Sequence, residues 1–273
     1  MKYLKNVLTI ILAMVLSAAF AQPEKTWETG GFKTPESVYY HTGMDILFVS
    51  NINGKPTNKD MNGFISKMDT DGNIIEMKWA EGLHAPKGMV ATDDYLYVTD
   101  INHIVRIDIH TGEIVKKIHV EGSSFLNVME GYKGRIFISD MNENKIYVLK
   151  NDEVSVFKEE GLSGANGLYE TNGILYSGNN NYVLQFDLET GEQGKIKAEV
   201  GGIDGLKEYD KDTFLTSDWK GNVYKANRAG ETKLILSTEE KNIQAADFEY
   251  ITGEKELIIP TFFHNTVAAY RLQ

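Results

Sequence analysis

GIDGLKEYDKDTFLTSDW (residues 202–219) is a short apolar run, a polar turn and a second, alternating run. Asp204 opens it, between an isoleucine and a glycine, where a carboxylate stands at the head of what otherwise reads as a buried strand. The same outline returns five times: TPESVYYHTGMDILFVSN (34–51), HAPKGMVATDDYLYVTDI (84–101), FLNVMEGYKGRIFISDM (125–141), GANGLYETNGILYSGN (164–179) and AADFEYITGEKELIIPTF (245–262). Each is a hairpin pattern, with β-branched and aromatic residues alternating in the runs and Gly, Asp or Thr at the turn.

A third strand follows each hairpin: GFISKMD, HIVRIDI, KIYVLK, YVLQFDL, NVYKANR and TVAAYRL. Most of these end in a tight turn of the Asp-Thr-Asp-Gly kind, and a fourth strand such as EIVKKIHV or TKLILS comes next. Four strands per unit and six units, with aligned positions 36, 87, 127, 166, 204 and 247, give spacings of 51, 40, 39, 38 and 43 residues. That period is the mark of β-propeller blades. The expectation is an all-β, six-bladed propeller over 22–273, with four antiparallel strands per blade and no second domain. The sixth unit runs out of chain after its third strand. KTWETGG (25–31) is therefore expected to pair with TVAAYRL and supply the missing outer strand, since an open propeller would leave a sheet edge exposed.

Residues 1–21 differ from the rest. MKYLKN is basic, VLTIILAMVL is apolar, and Ala19-Phe20-Ala21 offers a small-x-small cleavage site. The run is too short to span a bilayer and reads as a secretory signal peptide, so the chain is expected to be exported, with a bacterial periplasm as destination and no membrane insertion after removal. There is no cysteine, which excludes disulfides and a cysteine-linked lipid and leaves stability to the core. Losing Lys2 and Lys5 with the signal takes the formal net charge from −11 to −13. That balance argues against nucleic acid, whose phosphates need Lys and Arg, and against an anionic membrane surface. Separately, the partner expected is a small-molecule substrate.

Strand counting puts the six aligned positions at one end of the innermost strands, around the central channel. They are Glu36, Lys87, Asn127, Asn166, Asp204 and Asp247, and none is apolar. Converging polar side chains need partners. Carboxylates and amide carbonyls are hard oxygen ligands that suit Ca²⁺ rather than zinc. Glu36 and Asp204 would balance a dication, leaving Lys87 and Asp247 to neutralise each other across the ring. Spacing alone leaves open a water-filled channel closed by hydrogen bonds. Gly205, after Asp204, reads as room for close backbone approach.

The Pro-Glu of TPESV, the Asn of FLNV, the Asn-Gly of GANGL and the Asp-Gly of GIDGL, in order and one to a blade, resemble the regucalcin/gluconolactonase (SMP-30-like) family of six-bladed propellers across the mature chain. The resemblance implies that Glu36, Asn166, Asp204 and Asn127 hold a divalent cation, usually calcium, and that the chain is a metal-dependent hydrolase of a lactone or related ester. Asp204 would then serve as general base or nucleophile. This chain departs from the family in carrying Val128 where members often have Asp, and in placing Lys87 in the ring. Those departures favour the alternative, a non-catalytic propeller that binds a small ligand or a protein while its metal pins the blades.

Several residues near the same face are read separately. Asp100, Asp140, Asp218, Asn51 and Asn179 recur where strand two ends and are expected to cap loops. Of six histidines, His84, His103 and His264 fall near this face. His264, beside Phe262 and Phe263, is the candidate proton carrier or substrate contact. Trp219 walls a pocket or covers the rim, and the insertion 51–63 is a lid or a plain surface loop. DTDGNIIE (69–76) is not an EF-hand, because its glycine comes at the fourth position of the loop and not the sixth.

Overall fold

The computed structural model describes residues 22–273. The expected signal, 1–21, lies outside the described residues. Among these, the only helical pieces are two three-residue 3₁₀ turns, Glu239–Lys241 and Phe262–His264. No helix among them is long and apolar enough to cross a membrane.

Six four-stranded antiparallel sheets form the molecule. The first is Pro35–His41, Ile46–Asn51, Gly63–Met68 and Ile74–Leu83. The fifth is Leu206–Asp210, Thr213–Ser217, Asn222–Asn227 and Thr232–Ser237. The sixth closes as the sequence requires: Glu24–Gly30 lies outermost and pairs with Thr266–Arg271, Glu24 opposite Arg271 and Gly30 opposite Thr266. Trp27 of that strand donates its indole N–H to Thr70 O in the first blade's outer turn, so the chain's beginning holds its end and braces its neighbour. That turn is a hairpin connection, with Asp69 accepting from Asn73, and not a cation loop.

The core lies between the sheets. Phe48, Ile65 and Trp79 of the first blade pack against Met89, Leu96 and Val105 of the second. Leu215 and Val223 of the fifth blade meet Phe248 and Leu257 of the sixth. Alternation along each strand gives one apolar face to each neighbour, and both faces are buried.

Neighbouring blades approach closely at the innermost strands. A Cβ on Gly88 would lie 2.5 Å from Asn127 O and 2.6 Å from Val128 Cα, the backbone of the next blade. At Gly205 the approach is by a side chain: its Cβ would meet the Phe248 ring at 2.6 Å. Gly88→Ala is expected to cost about 1–3 kcal/mol through overpacking. Thermal unfolding should show it as a Tm lower by roughly 2–12 °C, at about 2–4 °C per kcal/mol for a chain of this size.

Candidate functional site

The aligned residues sit where the inner strands leave their ladders. Pairing with strand two is irregular between Pro35 and Val38, between Pro86 and Met89, and between Leu126 and Met129. Asn166 and Asp204 precede the regular strands that start at Leu168 and Leu206. A bulge or strand start frees a side chain from strict alternation and aims it inward. Glu36, Lys87, Asn127, Asn166 and Asp204 together line the floor of a cavity of about 480 Å³ at one mouth of the channel. All five are buried, Lys87 most deeply at 1 % exposure.

A row of strand-two hydroxyls fixes this backbone. Ser50, Ser139 and Ser217 accept the backbone N–H of Ser37, Val128 and Gly205, each the residue after a ring member. Thr99 donates to Asn127 O across the blade boundary at 2.6 Å. Sequence reasoning passed over this row, although the signal is present: SN, TD, SD and SD end four of the six hairpins. The neighbouring Asn51, Asp100, Asp140 and Asn179 cap the segments leading into inner strands, as expected. Asp100 takes the N–H groups of His84 and Ala85, Asp140 those of Ser124 and Phe125, Asn51 that of Lys33, and Asn179 that of Ser163. Asp218 instead caps its own turn through Asn222, and it lines the cavity.

The floor is electrostatically uneven. Burial pushes the Glu36 carboxyl well above its usual range, with the Asp204 and Asp247 charges adding to it. Asp204 is pushed up for the same first reason, then by Asp247. Asn166 donates its amide to one Asp204 oxygen in a short hydrogen bond. Lys87 is lowered by burial, while Glu36 holds it up.

Two expectations fail on placement. Lys87 and Asp247 do not neutralise each other. The Lys87 ammonium donates to Ala85 O and Pro56 O and lies 4.5 Å from the Phe125 ring centre, with Glu36 as its chief carboxylate. Asp247 does not line the cavity. It accepts from Ser37 Oγ at 2.7 Å, and its cation is Lys207, one layer further down the channel. The reason is backbone: Asp247 N–H donates to Glu36 O and its carbonyl accepts from Val38, which lays its side chain on Ser37.

His264 also stands apart from the floor. Its ring is half exposed, 3.6 Å from Glu28, and no histidine lines the cavity. His84 accepts from Met61 N–H, and His103 stacks edge-on against His119 at 5.1 Å. Phe262, Phe263 and Trp219 do line the cavity, as does Pro56 of the 51–63 insertion.

Unpaired atoms show what the donor set could hold. Among the described residues, eight buried side-chain polar atoms lack a hydrogen-bond partner. Four of them are Glu36 Oε2, Asn127 Oδ1, Asn166 Oδ1 and Asp204 Oδ2, one from each of the four expected ligands. Buried oxygens left without donors are costly, and a hard cation is the kind of partner such oxygens take. No three His, Cys, Asp or Glu side chains gather as a ligand group among the described residues. Two carboxylates and two amides are the donor set, and oxygen donors of this kind suit calcium better than zinc.

No protein-family model matches the chain, and no curated protein matches its sequence. Solved structures do. A catalytically inactive histidine-to-alanine variant of virginiamycin B lyase from Staphylococcus aureus, with quinupristin, superposes with a TM-score of 0.61 at 13% identity, over 90% of this chain and 99% of that one. The WD40 propeller domain of Doa1 gives 0.64 at 12%, over 87% and 78%. A chain of the nidogen/laminin complex gives 0.64 at 14%, over 82% and 94%. At these identities the likeness is one of fold, and the β-propeller is what it shows. The regucalcin/gluconolactonase family stays a resemblance of motifs.

Proposed function

We propose that the chain is an exported, divalent-metal-dependent hydrolase of a lactone or related ester, with calcium held by Glu36, Asn127, Asn166 and Asp204. The observation that supports this is the set of four unpaired buried oxygens facing one cavity, one from each of four blades. When bound, a divalent cation supplies Lewis acidity at a carbonyl oxygen and makes water more acidic. Glu36, Asn127 and Asn166 orient that centre at the cavity floor. Asp204 takes a proton from the attacking water, and returns it to the alkoxide as the acyl C–O bond breaks. Asp204 Oδ2, which has no partner, is the oxygen that would face the cation, while Oδ1 accepts the Asn166 amide and keeps a second lone pair for the proton. Phe125, Trp219 and Phe262 exclude bulk water from the floor. The virginiamycin B lyase of similar fold is inactivated by a histidine-to-alanine change, and no histidine lines the cavity here.

One observation favours a second reading. The four ligands come from four blades, so a cation could serve to pin the ring without turnover. A panel of sugar lactones, alkyl lactones and aryl esters, run with calcium, with chelator, and with metals restored singly, separates the two. Calcium-restored hydrolysis supports the hydrolase. No turnover on any member, with calcium still raising Tm, overturns it in favour of the structural role.

A further inference from the structure

A second ring lies directly above the first. Its members are the residues that follow the strand-two caps: Ile52, Ile101, Met141, Asn180, Trp219 and Phe262. Five of the six are apolar, and all but Ile101 line the cavity. Ile52, Ile101 and Phe262 also form one buried apolar cluster at this end of the channel.

Three members hold an unfavourable backbone. Ile101, Trp219 and Phe262 have φ of 60°, 62° and 51°. The left-handed region is an outlier for bulky or β-branched residues, and such strain collects where a side chain must be aimed. At Trp219 and Phe262 it sets two aromatic rings edge-to-face, 5.4 Å apart, on the cavity wall. Phe263, 60 % exposed, extends this wall outward, 6.1 Å from Trp219.

Few polar groups stand at this level, and two of them are engaged. Asn180 donates to Ser163, and Asp218 takes the backbone and side-chain N–H groups of Asn222. A polyhydroxylated ligand would bury several hydroxyls against carbon here, with few partners, and each hydroxyl left unpaired weakens binding.

We infer that this second ring is the specificity wall, and that it selects a lactone or ester carrying an apolar substituent, an alkyl chain or an aryl group, over a sugar lactone. The inference rests on the proposed hydrolase for the reacting group, and on the ring alone for the substituent.

Two measurements test it. One compares calcium-dependent opening of γ-undecalactone and glucono-δ-lactone. The other uses calorimetry to compare binding of decanoate and gluconate, which needs no turnover. The variants are Trp219→Gly and Phe263→Ser. Glycine takes φ 62° freely, so Trp219→Gly removes the indole without endangering the fold. The wild-type chain is expected to prefer the apolar member of each pair by at least about tenfold, as burying part of an alkyl chain commonly gives. Trp219→Gly should lower decanoate affinity about tenfold, and Phe263→Ser less, because that ring is mostly exposed. Equal or better binding of gluconate overturns the inference, whatever the turnover result. Decanoate bound through Trp219 with no lactone opened upholds the wall and sinks the hydrolase reading. Binding of neither acid, or decanoate binding untouched by Trp219→Gly, overturns the inference.

Discussion

At saturating calcium, Asp204→Asn opens lactones with a kcat lower by about 10²–10⁴, the usual worth of a positioned general base. The substitution is nearly isosteric and keeps one oxygen for the cation. It removes the group that accepts a proton. Asp204 is the floor carboxylate suited to both tasks: Oδ2 has no partner and would face the cation, while Oδ1 accepts the Asn166 amide and keeps a lone pair for the proton. Burial and Asp247 bias it toward the protonated form, and a dication alongside reverses that bias, because an opposite charge favours the carboxylate. Glu36→Gln supplies the contrast. It should raise the calcium concentration needed for half-maximal rate and then recover kcat once calcium saturates, since Glu36 carries no proton in this scheme. Steady-state kinetics across a calcium titration reads both. Recovery of the Asp204→Asn rate at high calcium would reduce Asp204 to a ligand.

That contrast depends on a ring the sequence displays openly. Six polar residues recur at one point of a repeat whose other positions alternate between apolar and polar. Strand counting alone sends them to one end of the channel. The closing strand was equally legible, because TVAAYRL lacks a following partner and KTWETGG lacks a preceding one. Periodicity does not carry side-chain direction where the ladder breaks. Asp247 aligns with the ring, yet the backbone bonds joining the sixth blade to the first turn it onto Ser37. His264 shares a short stretch with two cavity residues, yet the 3₁₀ turn at Phe262–His264 sends Phe262 inward and His264 toward Glu28. The strand-two hydroxyls were visible as repeated Ser and Thr before each cap. Their task became apparent only with the inner-strand N–H groups that lack ladder partners. The apolar ring was likewise in plain view, one residue beyond each cap. It gains meaning from φ values that no spacing announces.

Calcium is expected to raise Tm, and its removal by chelator to lower it, by more than any single surface substitution would. A ligand that binds only the folded chain adds about 2.7 kcal/mol when present at a hundred times its Kd. At about 2–4 °C per kcal/mol for a chain of this size, the shift is roughly 5–11 °C. The effect should be concentrated at the ring. Without a cation, Glu36 Oε2, Asn127 Oδ1, Asn166 Oδ1 and Asp204 Oδ2 are buried with no donor, and two of these belong to carboxyls that burial already disfavours as anions. These oxygens come from the first, third, fourth and fifth blades. A cation between them therefore resists the blades' separation, which is how a propeller must open. Glu36→Gln removes one of the two charges that balance the ion, and should lose most of the calcium-dependent rise at a calcium concentration that just saturates the wild-type chain. Without calcium the same variant has its own baseline, since it loses a buried carboxyl but leaves the Lys87 ammonium without its chief carboxylate, so the calcium-induced rise and not the absolute midpoint is the readout. Differential scanning calorimetry with calcium and with chelator, on both proteins, gives the four midpoints. A calcium-induced rise in Glu36→Gln equal to that of the wild-type chain would place the ion elsewhere and dissolve the site. An equal fall in both proteins under chelator would do the same.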